Sequence, residues 1–164
     1  MELLQYTDAD LTLTEAIECD PQVMSNLGGP ISRRDVLRIH RMRLAGIADG
    51  STWWFKIAPD PSERSAGTIG IWEASWNGAT IHEAGWMVLP AFQGRGLASE
   101  ALGLLLDLAR DEPRFQRLHA FPATSNAPSN ALCRKFGFTR TEQCDLEFRD
   151  RPLHCNHWEL DVSS

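Results

Sequence analysis

Lysine and tyrosine are nearly missing from this chain. Of its 16 basic residues only Lys56 and Lys135 are lysines, and Tyr6 is the sole tyrosine. The first shortage reads as the coding habit of a GC-rich genome; the second leaves one position for any phenolic acid. Positive charge is in deficit overall, with a formal net charge of −6. That argues against nucleic acid as the main partner and favours approach of a cationic substrate. The four cysteines, Cys19, Cys133, Cys144 and Cys155, form no C-x-x-C and no metal-ligand spacing. Cys144 and Cys155 could face each other across a hairpin, but reduced thiols are expected in the absence of a secretory signal. The first residues carry no basic segment followed by an apolar one, and no run approaches the roughly 18 apolar residues of a membrane span. A cytoplasmic protein with no membrane partner is expected. His154 and His157 lack a third ligand nearby in sequence, so no metal is expected.

What remains is ordinary globular composition, 43% hydrophobic and 23% charged in 164 residues, enough for one domain spanning 1–164 with a real core. Its most informative stretch runs from Val88 to Leu102. The apolar run Trp86 to Leu89 stops at Pro90, which cannot donate to a sheet ladder. An amphipathic helix over 97–110 follows, with Leu97, Ala101, Leu104, Leu105 and Leu108 on one face. No Ser, Thr, Asp or Asn stands at 93–96 to cap it, so its first N–H groups lack a side-chain acceptor. Gly94 and Gly96 clear the approach to those groups, and Arg95 adds charge. Such a helix start can hold a phosphate, though the same glycines also serve a plain strand–loop–helix turn.

The rest of the chain reads in order. A strand at 3–6 precedes a helix over 8–19, with Thr7-Asp8 as its cap region. Ser32-Arg33-Arg34-Asp35 resembles a capping box opening a second helix. Strands are expected at 52–57, 67–72 and 80–89, with a Pro59-Asp60-Pro61-Ser62 turn after the first and an Asn77-Gly78 hairpin before the last. A strand at 118–121, a short helix over 127–136 closed by Gly137, and two tail strands joined near 149–152 complete the chain. The order β-αα-βββ-α-β-α-ββ has no repeat, linker or low-complexity segment. It predicts an α/β (α+β) fold, a mixed and mostly antiparallel sheet of about seven strands with helices on both faces.

Val88-x-Pro90-x-x-Gln93-x-x-Gly96-x-Ala98 resembles motif A of the GNAT superfamily of acyl-CoA-dependent N-acetyltransferases, and the element order is similar to that family's. Asn126-x-x-Ser129, followed by Lys135-Phe136-Gly137-Phe138, is similar to its motif B. Leu27-Gly28-Gly29-Pro30, Glu83-Ala84-Gly85-Trp86, Glu100-Ala101-Leu102 and the tail from Asn156 to Leu160 look most like the branch of the Rim-type ribosomal-protein N-terminal acetyltransferases. That branch also holds enzymes acting on polyamines, antibiotics and other small amines. The resemblance implies acetyl-CoA as cosubstrate and an amine, either a protein N-terminus or a small cation, as acceptor. The acetyl group would pass by direct attack in a ternary complex, in a monomer or homodimer.

By that resemblance Trp86, Met87, Val88, Gln93, Gly94, Arg95, Gly96, Leu97, Ala98 and Ser99 hold the cosubstrate from one side. Asn126, Asn130 and Lys135 hold it from the other. Backbone N–H groups at Met87 to Val88, where family members carry a bulge, would contact the carbonyl oxygen. Cys133 stands where many members have an acidic tyrosine, which leaves Ser129 or water beside the leaving sulfur. Period-two alternation puts Glu83, Gly85 and Met87 on one face, so Glu83 is the first candidate base, ahead of His82 and His119. Trp53, Trp76 and Trp86 are candidates for an aromatic acceptor wall. Gly94-x-Gly96-x-x-Ser99 faintly resembles a dinucleotide loop, but no acidic ribose ligand follows. The other class to weigh is an acyl-CoA-binding module of the same fold that does not turn over.

Overall fold

The computed structural model describes residues 1–60 and 64–163. Strands β1 (Glu2–Gln5), β2 (Thr52–Ala58), β3 (Gly67–Trp76), β4 (Ala79–Val88), β5 (Arg117–Ala120), β6 (Thr139–Phe148) and β7 (Arg151–Asp161) form one sheet. Its order is β1-β2-β3-β4-β5-β7-β6, antiparallel throughout except between β4 and β5. The helices are α1 (Leu11–Glu18), α2 (Arg33–Asp49), α3 (Leu97–Arg110) and α4 (Ala127–Lys135). Only α3 links parallel neighbours, because parallel strands need a crossover where antiparallel ones need a turn. The turn expected at Pro59-Asp60-Pro61-Ser62 runs into residues outside those described.

Strand alternation sorts the side chains into two layers. Ile57, Ile69, Ile71, Ala84, Leu118, Ala120 and Trp158 pack with Ala101, Leu102, Leu105 and Leu106 of α3 and with Leu132 and Cys133 of α4. The opposite face carries Trp54, Thr68, Trp72, Glu83, His119 and His157, and α2 packs on it at β2 with α1 against α2. There Tyr6 is buried; its hydroxyl meets Thr14 Oγ1 and lies 2.5 Å from His40 Nδ1, joining the end of β1 to both helices. The lone tyrosine is thereby spent on structure.

Local signals account for the boundaries. Thr7 opens a 3-10 turn ahead of α1, its N–H donating to Asp10 Oδ2 at 2.7 Å, so the single helix expected over 8–19 divides in two. Ser32 Oγ donates to Asp35 Oδ2 at 2.8 Å, a side-chain bond and not the reciprocal box. Asn77 and Gly78 take φ of 48° and 79°, the left-handed pair that a tight hairpin requires.

Candidate functional site

The parallel strands β4 and β5 pair at only two register positions, His82↔Leu118 and Glu83↔His119. β4 continues to Val88 with no partner on that side, so the two strands part beyond Glu83 and His119. The resulting cleft opens at their C-terminal ends, where α3 and α4 begin, the usual place for ligands in sheets with crossover helices.

The first wall is the turn into α3. Gly94 and Gly96 have φ of 73° and 77°, and a Cβ built on either would meet nothing within 4 Å. Gly96 is the N-cap and offers no side chain, while the Glu100 N–H makes the first helical bond, to Gly96 O at 3.1 Å. The amides of Leu97, Ala98 and Ser99 are therefore left for a ligand. The Leu97 side chain itself is buried in the core, so its contribution is the backbone alone. Arg95 is exposed, its guanidinium 5.6 Å from the Phe92 ring centre. Gln93 is already engaged: its Nε2 donates to Val88 O at 2.9 Å and its Oε1 accepts from Gln22 at 3.0 Å. Its side chain ties the end of β4 to the segment after α1 and is not free for a ligand.

The second wall is the start of α4. Asn126 Oδ1 caps the helix by accepting the Ser129 N–H at 3.2 Å. Lys135, at the far end of α4, donates to Ser99 Oγ at 2.5 Å and so bridges the two helices across the cleft.

Two residues of α4 turn away from the cleft. Asn130 or Lys135 was expected to hold the cosubstrate's phosphates, yet Asn130 is buried with all four of its hydrogen-bonding capacities used. Its Nδ2 donates to Ala123 O (2.9 Å) and Asn126 O (2.8 Å), while Oδ1 accepts from Asn156 Nδ2 (2.8 Å) and Trp158 Nε1 (2.9 Å). It pins α4 to β7 and is unavailable to a ligand. Cys133 is fully buried in the α3-side core, and burial pushes its thiol up to about 12. It cannot take part in the chemistry of the cleft.

The expected bulge at Met87–Val88 is absent, since the β3–β4 register runs unbroken from Gly67↔Val88 to Trp76↔Ala79. The Leu89 N–H donates to Ala66 O at 2.8 Å. Alternation then turns the Met87 amide toward β3 and those of Trp86 and Val88 toward the cleft. The Trp86 ring lies on the α3 side, as does that of Trp53, which packs edge-on against Phe115 at 4.8 Å. His82 shares that side and packs against Phe115 at 4.9 Å, which removes it from the candidates for base. Trp76 is on the cleft side, 5.0 Å from Phe121 and 5.1 Å from His157.

Glu83 stands at the apex. Burial pushes its carboxyl up to about 7, with a hydrogen bond from Trp72, its cross-strand partner, pulling the other way. Trp72 and its neighbour Trp54 (5.5 Å between ring centres) were not foreseen as parts of the site. The signal was present in two glycines: a Cβ on Gly85 would lie 2.6 Å from Trp72, and one on Gly70 would lie 2.5 Å from Trp54. The wall continues through Arg43, stacked 4.4 Å over Trp54, to Glu18, a fully buried carboxylate paired with Arg43 and with Arg149 at 2.8 Å. Arg149 sits at the β6–β7 turn, and Arg151 beside it donates to Gly28 O. Arg43 Nη1 and Trp54 Nε1 are buried without partners among the described residues, so this wall keeps unspent hydrogen-bonding capacity.

Among the described residues, one trio could surround an ion: His119, His157 and Glu159, brought together from β5 and β7. Sequence spacing could not show it, because the partners come from different strands.

Residues 1–139 match the family described as the acetyltransferase (GNAT) domain. Among solved structures the chain is similar to a spermidine N-acetyltransferase from Vibrio cholerae in complex with CoA and spermine. The TM-score is 0.80 at 19% identity, over 99% of this chain and 95% of that one. It is also similar to a ribosomal-protein-alanine N-acetyltransferase from Brucella melitensis (0.79, 22%, covering 98% and 99%). A GNAT-family acetyltransferase from Bacillus anthracis gives 0.77 at 18%, covering 99% and 95%.

Proposed function

The chain belongs to the GNAT acetyltransferase domain family, and on that premise we propose that it transfers an acetyl group from acetyl-CoA to a primary amine. The single observation that carries the reading is the placement of Glu83. A carboxyl held near neutrality sits where two parallel strands separate, between an uncapped helix start and a second capped helix. When bound, the cosubstrate supplies a thioester carbonyl as electrophile and a thiol as leaving group. The amides at the start of α3 fit its diphosphate, because the space beside Gly94 and Gly96 is clear. The cleft-facing Val88 amide is placed to stabilise charge on the carbonyl oxygen. Ser129, in the first turn of α4, supplies a hydroxyl for the leaving sulfur.

An aliphatic acceptor with a pKa near 10 arrives protonated at neutral pH, and an ammonium has no lone pair for attack. Glu83 first holds this cation and then takes its proton, which a carboxyl poised near 7 does better than one near 4. The acceptor class rests on the acidic balance of the chain and on the aromatic and ionic wall from Trp72 to Glu18. A protein N-terminus of the kind the Rim-type branch handles and a polyamine both meet these requirements. The test is release of CoA thiol from acetyl-CoA with a panel of N-terminal peptides, polyamines and aminoglycosides. Turnover with at least one acceptor well above acetyl-CoA hydrolysis is expected. Binding of acetyl-CoA without turnover on the whole panel would instead make the chain an acyl-CoA-binding module.

A further inference from the structure

His119 and His157 make a hydrogen bond whose alignment follows from three numbers. His119 Nδ1 lies 2.9 Å from His157 Nε2, the ring centres are 5.2 Å apart, and the planes differ by 10°. Each nitrogen sits about 1.15 Å from its ring centre, so about 5.2 Å is the largest centre separation such a contact permits. It is reached only when both centres and both nitrogens lie on one line. The rings are therefore edge to edge and nearly coplanar, joined by a straight N–H···N bond. A shared metal ion would need both lone pairs to converge on a point off that line, so the geometry selects a proton-sharing pair.

The row continues in both directions. His157 Nδ1 lies 2.8 Å from Thr141 Oγ1, and Thr141 is exposed. The β6–β7 register shifts between Arg140 and Glu142, so Thr141 is the extra residue of a bulge, a device that re-aims a side chain. Inward, His119 is the register partner of Glu83. Adjacent strands lie about 4.8 Å apart, and the two side chains make no direct hydrogen bond or ion pair among the described residues, so the step between them needs a bridging water. Phe121 stacks on the His157 ring at 4.6 Å and holds its plane. Glu159 Oε1 lies 3.7 Å from both bridging nitrogens, where it favours an imidazolium in transit.

Every hydrogen bond in the row can reverse. With the exposed Thr141 hydroxyl turning its hydrogen to solvent, His157 Nδ1–H donates to Thr141 and His119 Nδ1–H donates to His157. His119 Nε2 is then left as the acceptor for a proton relayed from Glu83. A proton added there shifts each bond by one place and emerges beside Thr141 and the half-exposed Glu142.

We propose that the row His119–His157–Thr141 is the exit route for the proton that each turnover releases. The inference rests on the acyl-transfer reading and supplies what its balance requires. An ammonium and a thioester give an amide, a thiol and one proton: the N–C bond forms, the C–S bond breaks, sulfur leaves protonated, and one N–H proton must reach solvent. Glu83 takes it from the amine and must give it up before the next cycle. The charged and titratable groups facing the row are Glu83 from β4, Arg117 from β5, Glu142 from β6 and Glu159 from β7, with His82 acting on His119 only through the sheet from the opposite face.

The test is steady-state turnover of His157→Gln in dilute, weakly shuttling buffer. Glutamine keeps a hydrogen-bonding side chain but cannot pass a proton through itself. We expect kcat to fall about 10-fold with KM for acetyl-CoA unchanged, a larger solvent deuterium effect, and recovery to within about twofold as imidazole buffer is raised. Wild type should not respond to the buffer. Thr141→Val, an exposed change that leaves both histidines in place, should fall about threefold and be rescued likewise. If His157→Gln fails to fold, Thr141→Val decides. Unchanged kcat in folded variants, or a loss that imidazole does not restore, overturns the relay while wild-type turnover leaves the acyl-transfer reading intact. Wild type that acetylates no amine overturns both.

Discussion

Replacing Glu83 by glutamine should lower activity and raise stability, and the two effects should depend on pH in a linked way. Burial raises the Glu83 carboxyl from 4.5 to about 7. The folded protein then binds a proton that the unfolded chain releases between those values, so stability falls as pH climbs through that window and levels off above it. At about 1.4 kcal/mol per pH unit the loss totals about 3 kcal/mol. Glutamine is neutral, of the same shape, and still accepts a hydrogen bond from Trp72, so it escapes the loss. Melting of Glu83→Gln and wild type should coincide near pH 4.5, with the variant about 5–10 °C higher at pH 8. Turnover should fall about 10²- to 10⁴-fold with acetyl-CoA affinity barely changed. The rising limb of the wild-type pH–rate profile near pH 7 should vanish, and high pH should partly restore the variant, because more acceptor then arrives neutral. A melting advantage independent of pH would refute the burial argument. Near-normal turnover of the variant at neutral pH would refute the base.

Gly96→Leu should abolish acetyl-CoA binding by calorimetry while the protein still folds: a side chain at φ 77° costs about 1–2 kcal/mol but meets no neighbour. Unchanged affinity would remove the start of α3 from the site. Asn130→Ala should destabilise by about 2–4 kcal/mol in denaturant melts, because it orphans the buried Asn156 and Trp158 donors, yet leave acetyl-CoA affinity of the folded protein intact. Cys133→Ser should keep most of its turnover, at a stability cost of about 1–3 kcal/mol for burying a hydroxyl. An acetyl group trapped on Cys133 by mass spectrometry would contradict its burial.

The element order and the α3 boundaries were legible because they rest on local signals: Pro90, two glycines and a 3.6-residue period. The seven-stranded sheet was legible for the same reason. Facing was legible only within a strand. Alternation placed Glu83 correctly relative to Met87, but it could not say that Trp53 and Trp86 turn toward α3 while Trp54 and Trp72 turn toward the cleft. That depends on which helix covers which face. Asn130 was assigned to the cosubstrate by its place in the motif, which could not reveal that its partners, Asn156 and Trp158, lie 26 and 28 residues on in another strand. The motif resemblance showed that Cys133 replaces a tyrosine but not that it is buried, because its environment is decided by the packing of α4 on α3. The His119–His157 bond joins two strands that no spacing rule connects.

The two-rung junction between β4 and β5 has a mechanical meaning. A sheet resists bending along its ladders, and here one ladder is almost missing. The molecule amounts to two stiff plates, β1 to β4 and β5 to β6, hinged at Glu83 and His119. Opposite the hinge, the Lys135–Ser99 contact and the Arg149–Glu18 pair act as light struts across the gap. Rotation about such a hinge moves the mouth most and the apex least. The jaws can widen for a bulky guest while the groups at the pivot keep their spacing.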